Sequence, residues 1–204
     1  MGLALEKDAE ECYSVDMNDA VRHGMCVSVL ASELARELGC DEEFIHKVAV
    51  AAMLHDVGKL QVSPYIYGRR QGAMKIEEMR YVRLHAKLGA EILKREGYDQ
   101  DIVDMVHYHH ENYDGSGYPY RMRGGEIPLG ARLIRVCDVF SALVSDRPYR
   151  KAFDADTAFG MVIDEVRHFD MRAFLAFQRL INTTDIMSRV DQVLHGDIPG
   201  LDEK

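Results

Sequence analysis

Two short runs of this 204-residue chain carry the side-chain types that bind metal ions. LHDVGK sets His55 beside Asp56, and HYHHENYDGSGYP sets His109 beside His110. With His23, His85 and Asp138 they make five histidines and two carboxylates from five separate segments. Neutral imidazole with carboxylate suits iron, manganese, zinc and similar ions better than calcium, and such ions activate water for hydrolysis. One ion does not need so many ligands, so the set points to a multinuclear centre. The two oxygens of Asp56 can reach different ions. His55 can join it only where the helix ends or distorts, because neighbours in a regular helix point about 100° apart; Gly58 permits that ending. Asp19 and His23, four residues apart, share a helical face and can clasp one ion. Asp138 lies in the apolar run LIRVCDVFSAL, where a carboxylate needs a partner or a metal. Singly, such histidines are more often hydrogen-bonded structural residues, and His46, His107, His168 and His195 are read that way, with His107 at most supporting His110.

The elements that must position these residues read as helices. Apolar spacing through Val21, Met25, Leu30, Leu34 and Leu38 predicts an amphipathic helix over 19–38, stopped by Gly39. Asp41 resembles an N-cap, and EEFIHKVAVAAMLHD predicts a buried helix that carries His55 and Asp56 into the interior and breaks at Gly58. Residues 61–74 hold Pro64, Gly68 and Gly72 among Tyr65, Tyr67, Arg69 and Arg70, which predicts a loop able to act as a lid. Helical patterns follow over 76–95, 99–111 and 128–145, with a glycine-rich interruption at 114–125 and two or three shorter helices to about 195. No strand alternation or internal repeat is present. The expected fold is all-α: an N-terminal extension at 1–18, a catalytic core at 19–153, and C-terminal helices at 154–204 packing on the same domain.

Composition sets the class. Hydrophobic residues at 47% and charged residues at 29%, with only five prolines, describe a globular chain that folds alone or as a homodimer. A formal charge of -9 argues against a duplex nucleic-acid surface, which relies on clustered Lys and Arg, but leaves room for a small anionic ligand in a local basic pocket. Cys12, Cys26, Cys40 and Cys137 lack metal-knuckle spacing and disulfide-scaffold density, so reduced thiols are expected. No apolar run reaches the ~20 residues a bilayer requires, and MGLALEKDAEEC is too acidic for a signal peptide. The expected setting is cytoplasmic, without membrane contact.

LHDVGK at 54–59, HAKLGAEIL at 85–93, HHENYDGSGYP at 109–119 and IPLGARLIRVCDVFSALVSDRPYRKA at 127–152 occur in order at compatible spacings. In these motifs the chain resembles the HD-GYP subgroup of the HD phosphohydrolase superfamily, Gly117, Tyr118 and Pro119 being the GYP itself. The resemblance implies an HD-domain helical bundle with a GYP loop and two or three iron or manganese ions. It implies hydrolysis of the bacterial second messenger cyclic di-GMP to pGpG and, in some members, GMP. By position it assigns His23, His55, Asp56, His85, His109, His110 and Asp138 as ligands, and puts Asp19 where trinuclear members carry a Glu one methylene longer. Two ions bridged by Asp56 would lower the pKa of a water enough to give hydroxide near neutral pH. Lys59 is expected to donate to a phosphate oxygen, and Arg147 and Arg150 to meet the substrate through planar donor forks. The GYP loop, and Tyr118 in it, is expected to serve substrate binding or contact with a partner protein.

The chain departs from the family after the HD pair. HDVGKLQVSPYIYGRR stands where HDIGKIGIPDAIL is usual, with Ser63 in the proline place, Pro64 one position later and one residue inserted before His85. That change bears on substrate affinity and specificity more than on metal binding. It motivates other readings: another cyclic dinucleotide such as cyclic GMP-AMP, a nucleotide monoester, or a non-catalytic cyclic di-GMP sensor. The family pattern weakens after Lys151, and no receiver, PAS or GAF module is recognised.

Overall fold

The computed structural model describes residues 2–66, 82–146, 150–183 and 185–197, with side chains from Met17 onward except at 63–66 and 183. Nine α-helices run through these residues: α1 Gly2–Glu37, α2 Glu42–Leu54, α3 Lys59–Ile66, α4 His85–Arg95, α5 Gln100–Tyr108, α6 Leu129–Val144, α7 Ala155–Asp164, α8 Met171–Thr183 and α9 Ile186–His195. No strand occurs among the described residues, and the fold is all-α as expected.

Local chemistry sets the helix ends. α1 closes in a Schellman motif, Cys40 N–H donating to Ala35 O and Gly39 N–H to Arg36 O. Its start lies upstream of the expected 19, because residues 3–18 contain neither glycine nor proline to stop it. α2 begins at the expected cap, with Asp41 Oδ1 accepting from Phe44 N–H at 2.8 Å. α5 and α7 are capped in the same way by Asp99 and Asp154.

Two expectations are corrected here. Residues 61–66 belong to α3 rather than to a loop; the helix is eight residues long and includes Pro64, too short to show a period. Residues 67–74, the rest of the expected lid, lie outside the described residues, as does Arg147. The second correction concerns Gly58. α2 ends earlier, at Leu54, and the chain turns through His55–Gly58 on i→i+3 bonds, Val57 N–H to Leu54 O and Lys59 N–H to Asp56 O. Glycine is required for contact: a Cβ at Gly58 would lie 2.0 Å from His85 O and 2.6 Å from Gly89 N. Its absence lets the HD turn sit directly on the first turn of α4.

α1 lies against α2, α6, α8 and α9, and α6 lies against α1, α2, α5, α7 and α8. Leu30 and Leu34 of α1, Val48 of α2, Val106 of α5, Ile134 and Phe140 of α6 and Phe177 of α8 are buried in one continuous core. Phe140 and Phe177 meet edge to face at 5.2 Å, each burial contributing about 2–3 kcal/mol. At the other end, Arg22 Nη1 donates to Val193 O and Gly196 O, tying the end of α9 to α1 one residue before His23. Cys26, Cys40 and Cys137 are free thiols. No described helix is long and apolar enough to cross a membrane.

Candidate metal centre

Five segments converge where α1, α2, α4, α5 and α6 meet. The ligand atoms of His23, His55 and Asp138 lie within 4.8 Å of one another, as do those of His55, Asp56 and His109, and those of His85, His109 and His110. His55 and His109 are shared between sets, so the seven residues form one chain of ligand atoms rather than three pockets. Asp56 sits in the middle with its oxygens divided. Oδ1 lies 3.3 Å from His85 Nε2, and Oδ2 lies 3.4 Å from His55 Nε2 and 4.0 Å from His23 Nε2. Asp138 Oδ1 lies 3.0 Å from His23 Nε2 and 3.7 Å from His55 Nε2. His55, His85 and His109 are buried, whereas the Asp56 and Asp138 side chains keep 16% and 15% of their surface, so the carboxylates face the opening.

Three imidazoles are locked by the backbone. Nδ1–H of His55 donates to Ala52 O, that of His85 to Val82 O and that of His109 to Val106 O, each three residues back. A carbonyl only accepts, so each Nδ1 carries a proton and each Nε2 is turned inward, as a lone pair in the neutral rings of His85 and His109. His85 Nε2 and His109 Nε2 then face each other at 3.3 Å, and His55 Nε2 is buried without a hydrogen-bond partner. Lone pairs pointed at one another, with an orphaned buried nitrogen beside them, are costly unless a cation lies between them. The donor set therefore fits hard or borderline divalent ions.

The electrostatics point the same way. Burial, then its neighbours His110, His55 and His85, holds His109 well below the ordinary histidine value. Burial likewise lowers His85 and His23, and takes His110 down to about 3. These rings are neutral at pH 7, the state that ligates. Burial would raise Asp56, but His55 and Lys59 hold it well below the usual carboxylate range, and His23 and His55 do the same for Asp138. Burial would lower His55, yet Asp56 and Asp138 win and raise it to about 10.

Lys59 is exposed at the start of α3 and donates to Asp56 Oδ2. Tyr118 stacks on His110 at 4.7 Å between ring centroids, and its N–H donates to His110 O. The turn before it needs glycine, because a Cβ at Gly117 would meet Asn112 N at 2.2 Å and His110 O at 2.5 Å. Asp19 is exposed one turn before His23 and joins none of the three ligand sets. Arg150 is occupied elsewhere: it donates to Ala142 O, Leu143 O and Lys151 O, and lies 4.5 Å from the Phe153 ring centroid, capping the end of α6.

Sequence reasoning missed the groups that hold the ligands. Ser141 Oγ lies 3.1 Å from His23 Nδ1, and a hydroxyl there supports either tautomer. Its place three residues after Asp138, as a lone polar residue on a buried face, was the available signal. Buried Glu111 accepts from Tyr120 N–H and Met122 N–H and so pins the GYP loop behind His110. Ser141→Ala should keep its helical circular dichroism while binding divalent metal roughly tenfold more weakly in competition with a chelator; unchanged affinity would remove Ser141 from the account.

Comparison with known proteins agrees with this geometry. The family model described as HD domain matches residues 7–173. A cyclic di-GMP phosphodiesterase of Pseudomonas aeruginosa is 35% identical over 160 residues, covering 78% of this chain and 38% of the relative. A 3'3'-cGAMP-specific phosphodiesterase of Vibrio cholerae is 35% identical over 162 residues, covering 78% of this chain and 35% of the relative. The chain thus spans well under half the length of these curated relatives. Among solved structures, an HDG"Y"P protein from Bdellovibrio bacteriovorus superposes with a TM-score of 0.65 at 22% identity, covering 79% of this chain and 52% of that one, which speaks for the fold. With its ordered motifs and the matched model, the chain belongs to the HD domain family and, within it, to the HD-GYP type.

Proposed function

We propose that the chain is a metal-dependent phosphodiesterase acting on cyclic di-GMP, releasing pGpG or GMP. The observation that carries this reading is the inward convergence of backbone-locked Nε2 lone pairs around a carboxylate with divided oxygens. His23, His55, Asp56, His85, His109, His110 and Asp138 would hold two divalent ions, iron or manganese; Asp19 is the candidate for a third. Such ions supply Lewis acidity toward a phosphate and lower the pKa of water.

The chain's own residues do the rest. The neutral imidazoles keep their Nε2 atoms available, and the two carboxylates bring negative charge to the opening. Lys59, held against Asp56, stands at the rim, where it can move to a phosphate oxygen as charge builds there. Tyr118, stacked on His110, offers an aromatic wall to the substrate. Arg147 remains a candidate substrate contact, whereas the bonds Arg150 makes to the end of α6 favour a capping role for it. The relative of Vibrio cholerae supports a second reading, cyclic GMP-AMP as substrate. Parallel turnover of metal-loaded protein on the two cyclic dinucleotides and a nucleotide monoester tests this: preference for the monoester, or tight binding without cleavage, would overturn the reading.

One pH effect follows from His55. Below about pH 10 its Nε2 carries a proton that a metal must displace, so apparent affinity should rise roughly tenfold per pH unit through neutrality. Calorimetry in buffers of different ionisation enthalpy should show about one proton released per chain; heats independent of buffer would contradict it.

A further inference from the structure

On one side of the metal cluster two guanidinium groups have no carboxylate partner among the described residues. Arg83, two residues before His85, is exposed and lies 5.2 Å from the Tyr118 ring centroid. Arg135 lies three residues before Asp138, on the same face of α6. Its Nε–H donates to Asn112 Oδ1 at 2.9 Å, and its guanidinium lies 6.0 Å from the Phe169 ring centroid. Asn112 in turn backs the GYP turn at Gly117. Arg135 is thus oriented through one nitrogen, with its two terminal NH2 groups still to be used. By contrast, Arg132 is engaged by Asp170 and Arg189 by Glu33. In a chain with a net charge of -9, one guanidinium over the Tyr118 ring and another anchored to Asn112 behind the GYP turn form a local basic patch next to the cluster.

We infer that Arg83, over Tyr118, and Arg135, anchored to Asn112 behind the same GYP turn, form a phosphate subsite, which takes the second phosphodiester group of a cyclic dinucleotide while the first lies at Asp56 and Asp138. The inference rests on the phosphodiesterase reading and adds how the site selects a substrate with two phosphates. A cyclic dinucleotide carries two phosphodiesters, and only one can be cleaved at a time. The other brings a negative charge toward a site already holding two carboxylates. A guanidinium fork meets two phosphate oxygens at once, and the bond of Arg135 to Asn112 and the contact of Arg83 with the Tyr118 ring hold the two forks in place. A substrate with a single phosphate gains nothing from the pair.

The test uses the metal-loaded chain, with Arg83→Ala and Arg135→Lys chosen because the first lies on the surface and the second keeps the charge while losing the fork. Metal content and melting temperature are checked first. Each variant should lose about tenfold in kcat/KM on cyclic di-GMP, mainly through KM, and stay within about twofold on bis(p-nitrophenyl) phosphate, which has one phosphate. Calorimetric binding of cyclic di-GMP to the chelator-treated protein should weaken by a similar factor. Equal losses on both substrates would reveal only a general field, and unchanged dinucleotide kinetics would show no subsite; either overturns the inference. A wild type that cleaves the single-phosphate ester but neither cleaves nor binds cyclic dinucleotides would instead sink the phosphodiesterase reading, and the subsite with it.

Discussion

Asp56→Ala is expected to abolish activity with the fold retained, turnover falling by about 10³-fold or more. The reason is positional. Asp56 is the residue whose two oxygens address different histidines, Oδ1 toward His85 and Oδ2 toward His55 and His23. Without it the two ends of the ligand chain lose their link, and His85, His109 and His110 are left with no carboxylate among their near neighbours in the ligand sets. The substitution also removes one of the two negative charges that hold His55 high. Metal analysis should therefore find fewer ions per chain, while circular dichroism stays helical because the side chain is at the opening rather than in the apolar core. A variant that retains the full metal content would show that Asp56 is not shared between ions.

The second large effect is expected at Gly58, through packing rather than ligation. An alanine Cβ there would be 2.0 Å from His85 O and 2.8 Å from His85 C, both backbone atoms that cannot swing aside. The HD turn must back away from α4, which costs about 3 kcal/mol and separates Asp56 from His85. Displacements near 1 Å in such a site cost ~10²-fold in rate, so Gly58→Ala should lose both stability and turnover. Gly160→Ala is the control: it sits within α7 with open space at the Cβ position, and should stabilise the chain by about 0.5–1 kcal/mol. Denaturant titration of the pair reads both signs, and a Gly58→Ala variant as stable as wild type would refute the close-approach argument.

Much of this molecule was legible in its sequence, for identifiable reasons. Helices with a side-chain cap, such as α2 behind Asp41, or with a long apolar face, such as α6 around Asp138, announce themselves by residue type and by period. The seven residues brought together at the cluster stood out because buried carboxylates and paired histidines have few other uses. What escaped depends on tertiary contact. α3 is too short to show a period and contains Pro64. Gly58 looked like a helix breaker because sequence does not show the α4 backbone that leaves it no room. Ser141 acts on His23, 118 residues away, and only the packing of α1 on α6 reveals that; Arg135 and Glu111 act on Asn112 and on the backbone of Tyr120 and Met122, contacts made by the way the GYP loop folds back. Arg150 illustrates the reverse: its composition suits a phosphate fork, yet the end of α6 engages it.

The most direct test of the central claim is metal stoichiometry joined to turnover, on protein purified anaerobically and reloaded with iron or manganese. At least two ions per chain are expected, with cleavage of cyclic di-GMP that stops on chelation and returns on reloading, and loss of both in Asp56→Ala; Asp19→Ala beside it separates two ions from three. One ion or none in a fully reloaded wild type, with cyclic di-GMP left intact over hours, would contradict it.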